Sequence, residues 1–181
     1  MNRILLLVTA AAIALPMAGA ASAAGVGATM LRSDGSAAGQ AQFTAKPDGV
    51  WLDLTVSGLA PGLHGLHLHA IGACTTPDFA SAGAHWNPMS HKHGLQSPDG
   101  AHLGDLPNLD VAPDGTGHIA TLVAGATLDG GMHGLLDADG TALVVHASPD
   151  DNMTDPTGNS GGRQLCGVVI AARPSPADSG R

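Results

Sequence analysis

Residues 39–56 read Gly39-Gln40-Ala41-Gln42-Phe43-Thr44-Ala45-Lys46-Pro47-Asp48-Gly49-Val50-Trp51-Leu52-Asp53-Leu54-Thr55-Val56. Two apolar-containing runs flank Pro47-Asp48-Gly49, where Pro presets φ and Gly accepts a positive φ, so the stretch reads as two strands joined by a turn. Within the second run Val50, Leu52, Leu54 and Val56 recur at every other position, which puts them on one face of a strand. Val50-Trp51-Leu52 and Phe43 read as core or interface residues.

The same punctuation recurs outward in both directions, at Ser33-Asp34-Gly35, Pro113-Asp114-Gly115 and Asp137-Ala138-Asp139-Gly140. Between these breaks, strands are predicted at Val26–Leu31, Gly39–Ala45, Val50–Val56, Leu63–Ala70, Asp110–Ala112, Gly117–Val123, Gly134–Leu136, Thr141–Ala147 and Gln164–Ala171. No 3.6-residue period is visible after the N-terminal segment. About eight short strands with tight turns predict an all-β protein, an antiparallel sandwich or barrel.

Composition agrees. The 181 residues include 26 Gly, and all fifteen acidic residues are Asp, with no Glu. Glu, Lys and Arg normally cover exposed helix surface, so their scarcity argues against a helical bundle. A hydrophobic share of 44% excludes a disordered chain. The formal charge of −8, with no basic cluster, excludes nucleic acid as a partner. Ten His in so short a chain point to metal.

Asn2 and Arg3 precede an apolar run from Ile4 to Leu15, shorter than the ~20 residues a spanning helix needs. Ala21-Ser22-Ala23 then fits a small-x-small cleavage site. Residues 1–23 therefore read as a signal peptide, 24–172 as the domain and 173–181 as a disordered tail, with export and no stable membrane anchor expected. Export suits Cys74 and Cys166, the only two cysteines. Their bridge would close a loop of about 92 residues, worth roughly 4–5 kcal/mol in the chain-entropy account.

Residues 71–108 and 148–163 are long, polar and without predicted strands. Loops of that length in a compact domain are usually functional or tied down. Seven of the ten His lie between positions 64 and 102. His67 and His69, two apart on a strand, leave the same face, and His64 has the opposite parity. His85, His93, His102 and Asp105 follow in the loop, and His146 ends Leu143-Val144-Val145-His146. Imidazoles with one carboxylate and no thiolate suit Zn²⁺ or Cu²⁺ rather than Ca²⁺ or Mg²⁺. Without Glu, a His-Glu-x-x-His protease is impossible, and there is no Gly-x-Ser-x-Gly for a serine hydrolase.

Gly62-Leu63-His64-Gly65-Leu66-His67-Leu68-His69 and Ser81-Ala82-Gly83-Ala84-His85-Trp86-Asn87-Pro88 resemble the copper/zinc superoxide dismutase family. So do Lys92-His93-Gly94, His102-Leu103-Gly104-Asp105-Leu106, Leu143-Val144-Val145-His146 and Gly161-Gly162-Arg163-Gln164-Leu165-Cys166-Gly167. The blocks occur in order over residues 26–171. The resemblance implies an eight-stranded antiparallel Greek-key β-barrel with two long functional loops. It implies copper held by His67, His69, His85 and His146, and zinc held by His85, His93, His102 and Asp105. His85 would be shared, and would carry a proton when copper is reduced. Asp150 matches a carboxylate that links the two sites through His67 and His93, and His64 a supporting residue that binds no metal. The implied reaction turns superoxide into O₂ and H₂O₂ while copper alternates between Cu(II) and Cu(I), with zinc structural. Arg163 matches the residue that guides the anion. The periplasm is the implied home, and the resemblance admits a homodimer as well as a monomer.

His91, His118 and His133 match no block and are expected on the surface. No thiol pair or Met-rich run suggests a copper carrier. The 147–163 loop carries Asp150, Asp151 and Asp155 but no Lys, which weakens the field available to steer an anion. Superoxide decay followed at rising ionic strength should show a slower reaction than in relatives with loop lysines, and a shallower salt dependence. Matching both the rate and the salt slope of those relatives would contradict this reading.

Overall fold

The computed structural model describes residues 25–171, and the leader and the C-terminal tail read above lie outside that range. The Pro47-Asp48-Gly49 hairpin is present: β2 (Ala37–Lys46) pairs antiparallel with β3 (Gly49–Ser57), with Phe43 opposite Leu52 and Lys46 opposite Gly49. The remaining strands are β1 (Val26–Arg32), β4 (Gly62–His69), β5 (Asp105–Val111), β6 (Thr116–Ala124), β7 (Ala142–His146), β8 (Arg163–Val168) and the two-residue β9 (Ile170–Ala171). One 3₁₀ turn covers Ala80–Ala82.

The order β2-β3-β6-β5-β4-β7-β8-β1 closes through the β1–β2 pairing, giving an antiparallel barrel of eight strands, with β9 adding to β1. Two seams of the ring are thin: β5 meets β6 only at Val111 opposite Gly117, and β1 meets β8 only at Leu31 opposite Cys166 and Arg32 opposite Leu165. The chain enters β4 after leaving β3 and returns to β7 after leaving β6, so both transitions skip neighbours. The long β4–β5 and β7–β8 connections fall on one side, against the outer face of β4 and β7.

The interior is filled by alternate residues of each strand, among them Met30, Val50, Leu52, Leu54, Leu66, Leu68, Leu109, Leu143, Val145 and Leu165. Trp51 has the opposite parity to Val50 and Leu52 and points outward, 38% exposed, so of the core-or-interface reading the core half does not hold for it.

Two strand assignments also change. Gly134–Leu136 forms only an isolated bridge, Thr127 to Gly134, within a turn-rich connection. Leu135 is fully buried there, so its apolar character reflects an anchor in a loop rather than a strand. Conversely, β5 starts at Asp105, five residues before the predicted Asp110. Pro107, Asn108 and Asp110 obscured it, being exposed or half-buried on the outer side while Leu106 and Leu109 face in.

Cys74 and Cys166 form a disulfide with Cα atoms 5.7 Å apart, fastening the β4–β5 loop to β8. A small outer cluster of Phe79, Ala82, Ala142, Val144 and Cys166 seals that junction.

Leu54 is fully buried on β3, away from the histidines. Leu54→Ala should lower unfolding free energy by about 2–5 kcal/mol in chemical denaturation while leaving metal uptake intact.

Candidate metal centre

The histidines gather on the outside of the barrel wall. Every residue of β4 from His64 to His69 is buried, because Leu66 and Leu68 face the interior while His67 and His69 face the covering loops. β7 repeats the device: Leu143 and Val145 point inward, and Val144 and His146 outward. β4 pairs with β7 from Leu66 opposite Val145 to His69 opposite Ala142, and with β5 where His67 faces Asp105. Sheet register thus brings together side chains far apart in sequence.

His67, His69, His85 and His146 each offer one ring nitrogen within 4.8 Å of the others'. Their partners settle which nitrogen carries the lone pair. Carbonyl and carboxylate oxygens only accept, so a ring nitrogen facing one must donate. His69 Nδ1 donates to Gly83 O (2.9 Å) and His146 Nδ1 to Gly161 O (3.1 Å), leaving their Nε2 atoms bare and 3.4 Å apart. His67 Nε2 donates to Asp150 Oδ2 at 2.6 Å, leaving Nδ1 buried with no partner. His85 Nδ1 faces Asp105 Oδ1 at 3.0 Å, and its Nε2 is likewise buried and unpartnered. Buried lone pairs that converge without a donor are costly unless a cation lies among them.

The second group shares His85. The Nδ1 atoms of His85, His93 and His102 lie 3.0, 3.1 and 3.2 Å from Asp105 Oδ1. Asp105 Oδ2 accepts the backbone N–H of Gly94 (2.9 Å) and of His102 (3.0 Å), so two main-chain bonds aim Oδ1 at the rings. Asp150 links the groups: Oδ2 meets His67 Nε2, and Oδ1 meets His93 Nε2 at 3.1 Å. Asn108 clamps Asp150, accepting its N–H and donating to its carbonyl, each at 2.8 Å. His64 is buried, with Nδ1 2.7 Å from His146 O and Nε2 2.8 Å from Ala60 O. It braces the β7 end from inside the wall.

Burial depresses the basicity of three rings, moving His69 to about 2, His146 to about 3 and His85 to about 4. His93 behaves oppositely. Burial pulls its pKa down, but hydrogen bonds and charge from Asp105 and Asp150 overcome that and raise it to about 9. Burial opposes ionisation of Asp105 and Asp150, yet their ring and backbone donors hold both carboxyls below the usual range.

A cleft of about 390 Å³ reaches His69, His85, His102 and His146 and is rimmed by Pro156, Thr157, Gly161 and Arg163. The Arg163 guanidinium donates to Phe79 O and to Gly83 O, which fixes it beside the rings. Gly83 O thereby serves both Arg163 and His69.

Of the unmatched histidines, His118 is exposed and lies 3.4 Å from Asp53, as a surface residue should. His91 and His133 are half-buried instead. His91 Nδ1 lies 3.2 Å from Ala101 O, so this ring packs within the β4–β5 loop. Sequence reasoning missed Asn108 and the carbonyls of Gly83 and Gly161, and it read Asp155 only as a loop charge. A carbonyl has no signature in a sequence, and a lone Asn or Asp in a polar loop has little.

Fold and site together define a β-barrel protein with a paired, imidazole-rich candidate metal centre. The model of the family described as copper/zinc superoxide dismutase (SODC) matches residues 37–169. The chain is 46% identical over 145 residues to Superoxide dismutase [Cu-Zn] of Caulobacter vibrioides, covering 78% of this chain and 83% of that one. It is 40% identical over 144 residues to Superoxide dismutase [Cu-Zn] 1 of Aquifex aeolicus, covering 78% and 85%. A solved SOD-like protein from Bacillus subtilis superposes with a TM-score of 0.77 at 35% identity, covering 80% of this chain and 97% of that one. The chain belongs to the copper/zinc superoxide dismutase family. It is accordingly an oxidoreductase whose cofactors are copper and zinc.

The depressed rings set a pH dependence for the metal-stripped protein. Between about pH 6.5 and 4 the unfolded chain binds protons at His69, His85 and His146 that the fold refuses, so stability falls as pH falls. Each ring contributes up to about 1.4 kcal/mol per pH unit. His93 is protonated in both states over that window; its contribution is present below about pH 6.5 and lost as pH rises through about 9. Thermal unfolding of chelator-treated protein should therefore show Tm dropping from pH 7 to pH 4. A flat Tm over that range would refute the assignment of these rings as neutral and buried.

Proposed function

We propose that His67, His69, His85 and His146 hold copper, that His85, His93, His102 and Asp105 hold zinc, and that Arg163 and His85 serve the disproportionation of superoxide. The observation that carries this is the pair of unpartnered buried nitrogens, His67 Nδ1 and His85 Nε2, within two four-residue groups that share one ring. All-nitrogen donors suit tetragonal Cu(II), and three imidazoles with a carboxylate suit a closed zinc site.

Bound copper would supply one-electron chemistry between Cu(II) and Cu(I), and zinc a fixed charge. The chain does the rest. Gly83 O and Gly161 O lock the tautomers of His69 and His146, so their Nε2 atoms need no reorientation. Asp150 orients His67 and His93 together. The Arg163 guanidinium, immobilised by two carbonyls, attracts and orients a small anion in the cleft. Two superoxide anions and two protons give one O₂ and one H₂O₂, and His85 Nε2 is the atom at the cleft placed to hold and release a proton. The loop carboxylates do not oppose the anion as freely as the sequence suggests. Asp150 binds rings, Asp151 is held by its own loop, and Asp155 is held by Lys92 and His93.

Export to the periplasm, directed by residues 1–23, accords with the Cys74–Cys166 disulfide. Among the described residues no helix is long and apolar enough to cross a membrane. Superoxide removal there would protect the cell envelope.

Metal analysis joined to an activity assay tests the reading. Protein loaded with both metals should hold about one copper and one zinc per chain, as two four-donor groups require. His146→Ala should lose superoxide removal and copper while keeping zinc. Zinc alone after copper loading would overturn the proposal in favour of a catalytically silent metal-binding module.

A further inference from the structure

Asp155 lies in the β7–β8 loop but makes its side-chain contacts with the β4–β5 loop. Its Oδ1 accepts the backbone N–H of His93 at 2.9 Å, and its Oδ2 lies 3.4 Å from Lys92 Nζ. The next two residues, Pro156 and Thr157, rim the cleft. The two loops touch closely around this bond. Gln96 N–H donates to Asn152 O at 3.1 Å. A Cβ on Gly94, whose φ is 104°, would come within 2.1 Å of Asn152 O, and one on Gly158, whose φ is 60°, within 2.6 Å of His93 Nε2. Glycine at both positions is what permits the approach.

His93 is consequently held from two ends. Asp150 binds its ring, and Asp155 binds its main chain, five positions further along the same loop. We propose that Asp155 is a positioning residue for His93, fixing its backbone to the cleft-rim loop so that zinc retention depends on that loop. This rests on the reading above that His93 holds zinc. The His93 N–H bond carries the effect, because Lys92 and Asp155 are both well exposed (side chains 61% and 42%) and an ion pair of that kind contributes little.

Zinc release from the copper- and zinc-loaded protein to a chromophoric chelator tests this without recourse to activity. Asp155→Ala should release zinc about tenfold faster than the native chain. Asp155→Asn, which keeps an oxygen acceptor for the His93 amide, and Lys92→Met, which removes only the ion pair, should stay within about twofold. Hydrogen exchange should accelerate at the His93 amide in Asp155→Ala but not at that of Gly94, which donates to Asp105. Asp151→Ala is the control, since that carboxylate binds only residues of its own loop: Met153, Thr154 and Asn159. Native zinc release in Asp155→Ala, or equal acceleration in Asp151→Ala, would overturn the proposal, the latter by showing general loosening of the loop. Failure of the unaltered chain to take up zinc would instead remove the metal assignment, and this inference with it.

Discussion

Asp105 and Asp150, each almost fully buried, are the two charges around which the loops organise. A carboxylate removed from water needs compensating donors. Asp105 gathers three ring nitrogens and two backbone amides, and Asp150 gathers two rings and a backbone amide. Those donors come from β4, from three points of the β4–β5 loop and from the β7–β8 loop. Satisfying two acids therefore folds some fifty residues that have little apolar surface of their own. The same bonds leave His67 Nδ1 and His85 Nε2 buried without a partner.

Strands with strict alternation were legible without coordinates. β2, β3 and β6 fall within a few residues of their expected bounds because period two survives in them, and β7, buried on both faces, was legible as a continuous apolar run. β5 was harder to see, since Pro107 and Asn108 interrupt its apolar series and Asp105 reads as part of the loop. Gly134–Leu136 misled in the opposite sense: a single buried leucine with an apolar neighbour resembles a short strand until its partners are known. Length and local pattern do not distinguish an anchor from a ladder.

The site shows the same division. The clustering of His67, His69, His85, His93, His102 and Asp105 was readable because few other roles explain so many imidazoles at those spacings, whereas Asp150 and the sharing of His85 came only with the resemblance to a family. The supporting contacts were not readable. Gly83 O holds both Arg163 and His69, and Asn108 grips Asp150 on both sides. These contacts depend on where backbone atoms fall after the barrel closes and the disulfide draws residues 74–83 against β8. Parity did predict that His64 would part from His67 and His69, and the bulge that shifts register between His64 and Leu66 leaves that separation intact.

The rings stand on the outer surface of the wall, whereas Leu52, Leu54, Leu66 and Leu143 occupy its interior. Scaffold and chemistry thus draw on opposite faces of the same strands. An imidazole on β4 or β7 can be exchanged without opening a hole among the interior leucines, so a descendant could surrender its ions and still close its ring of strands. The architecture is accordingly durable across lineages in a way that the reactivity it carries is not.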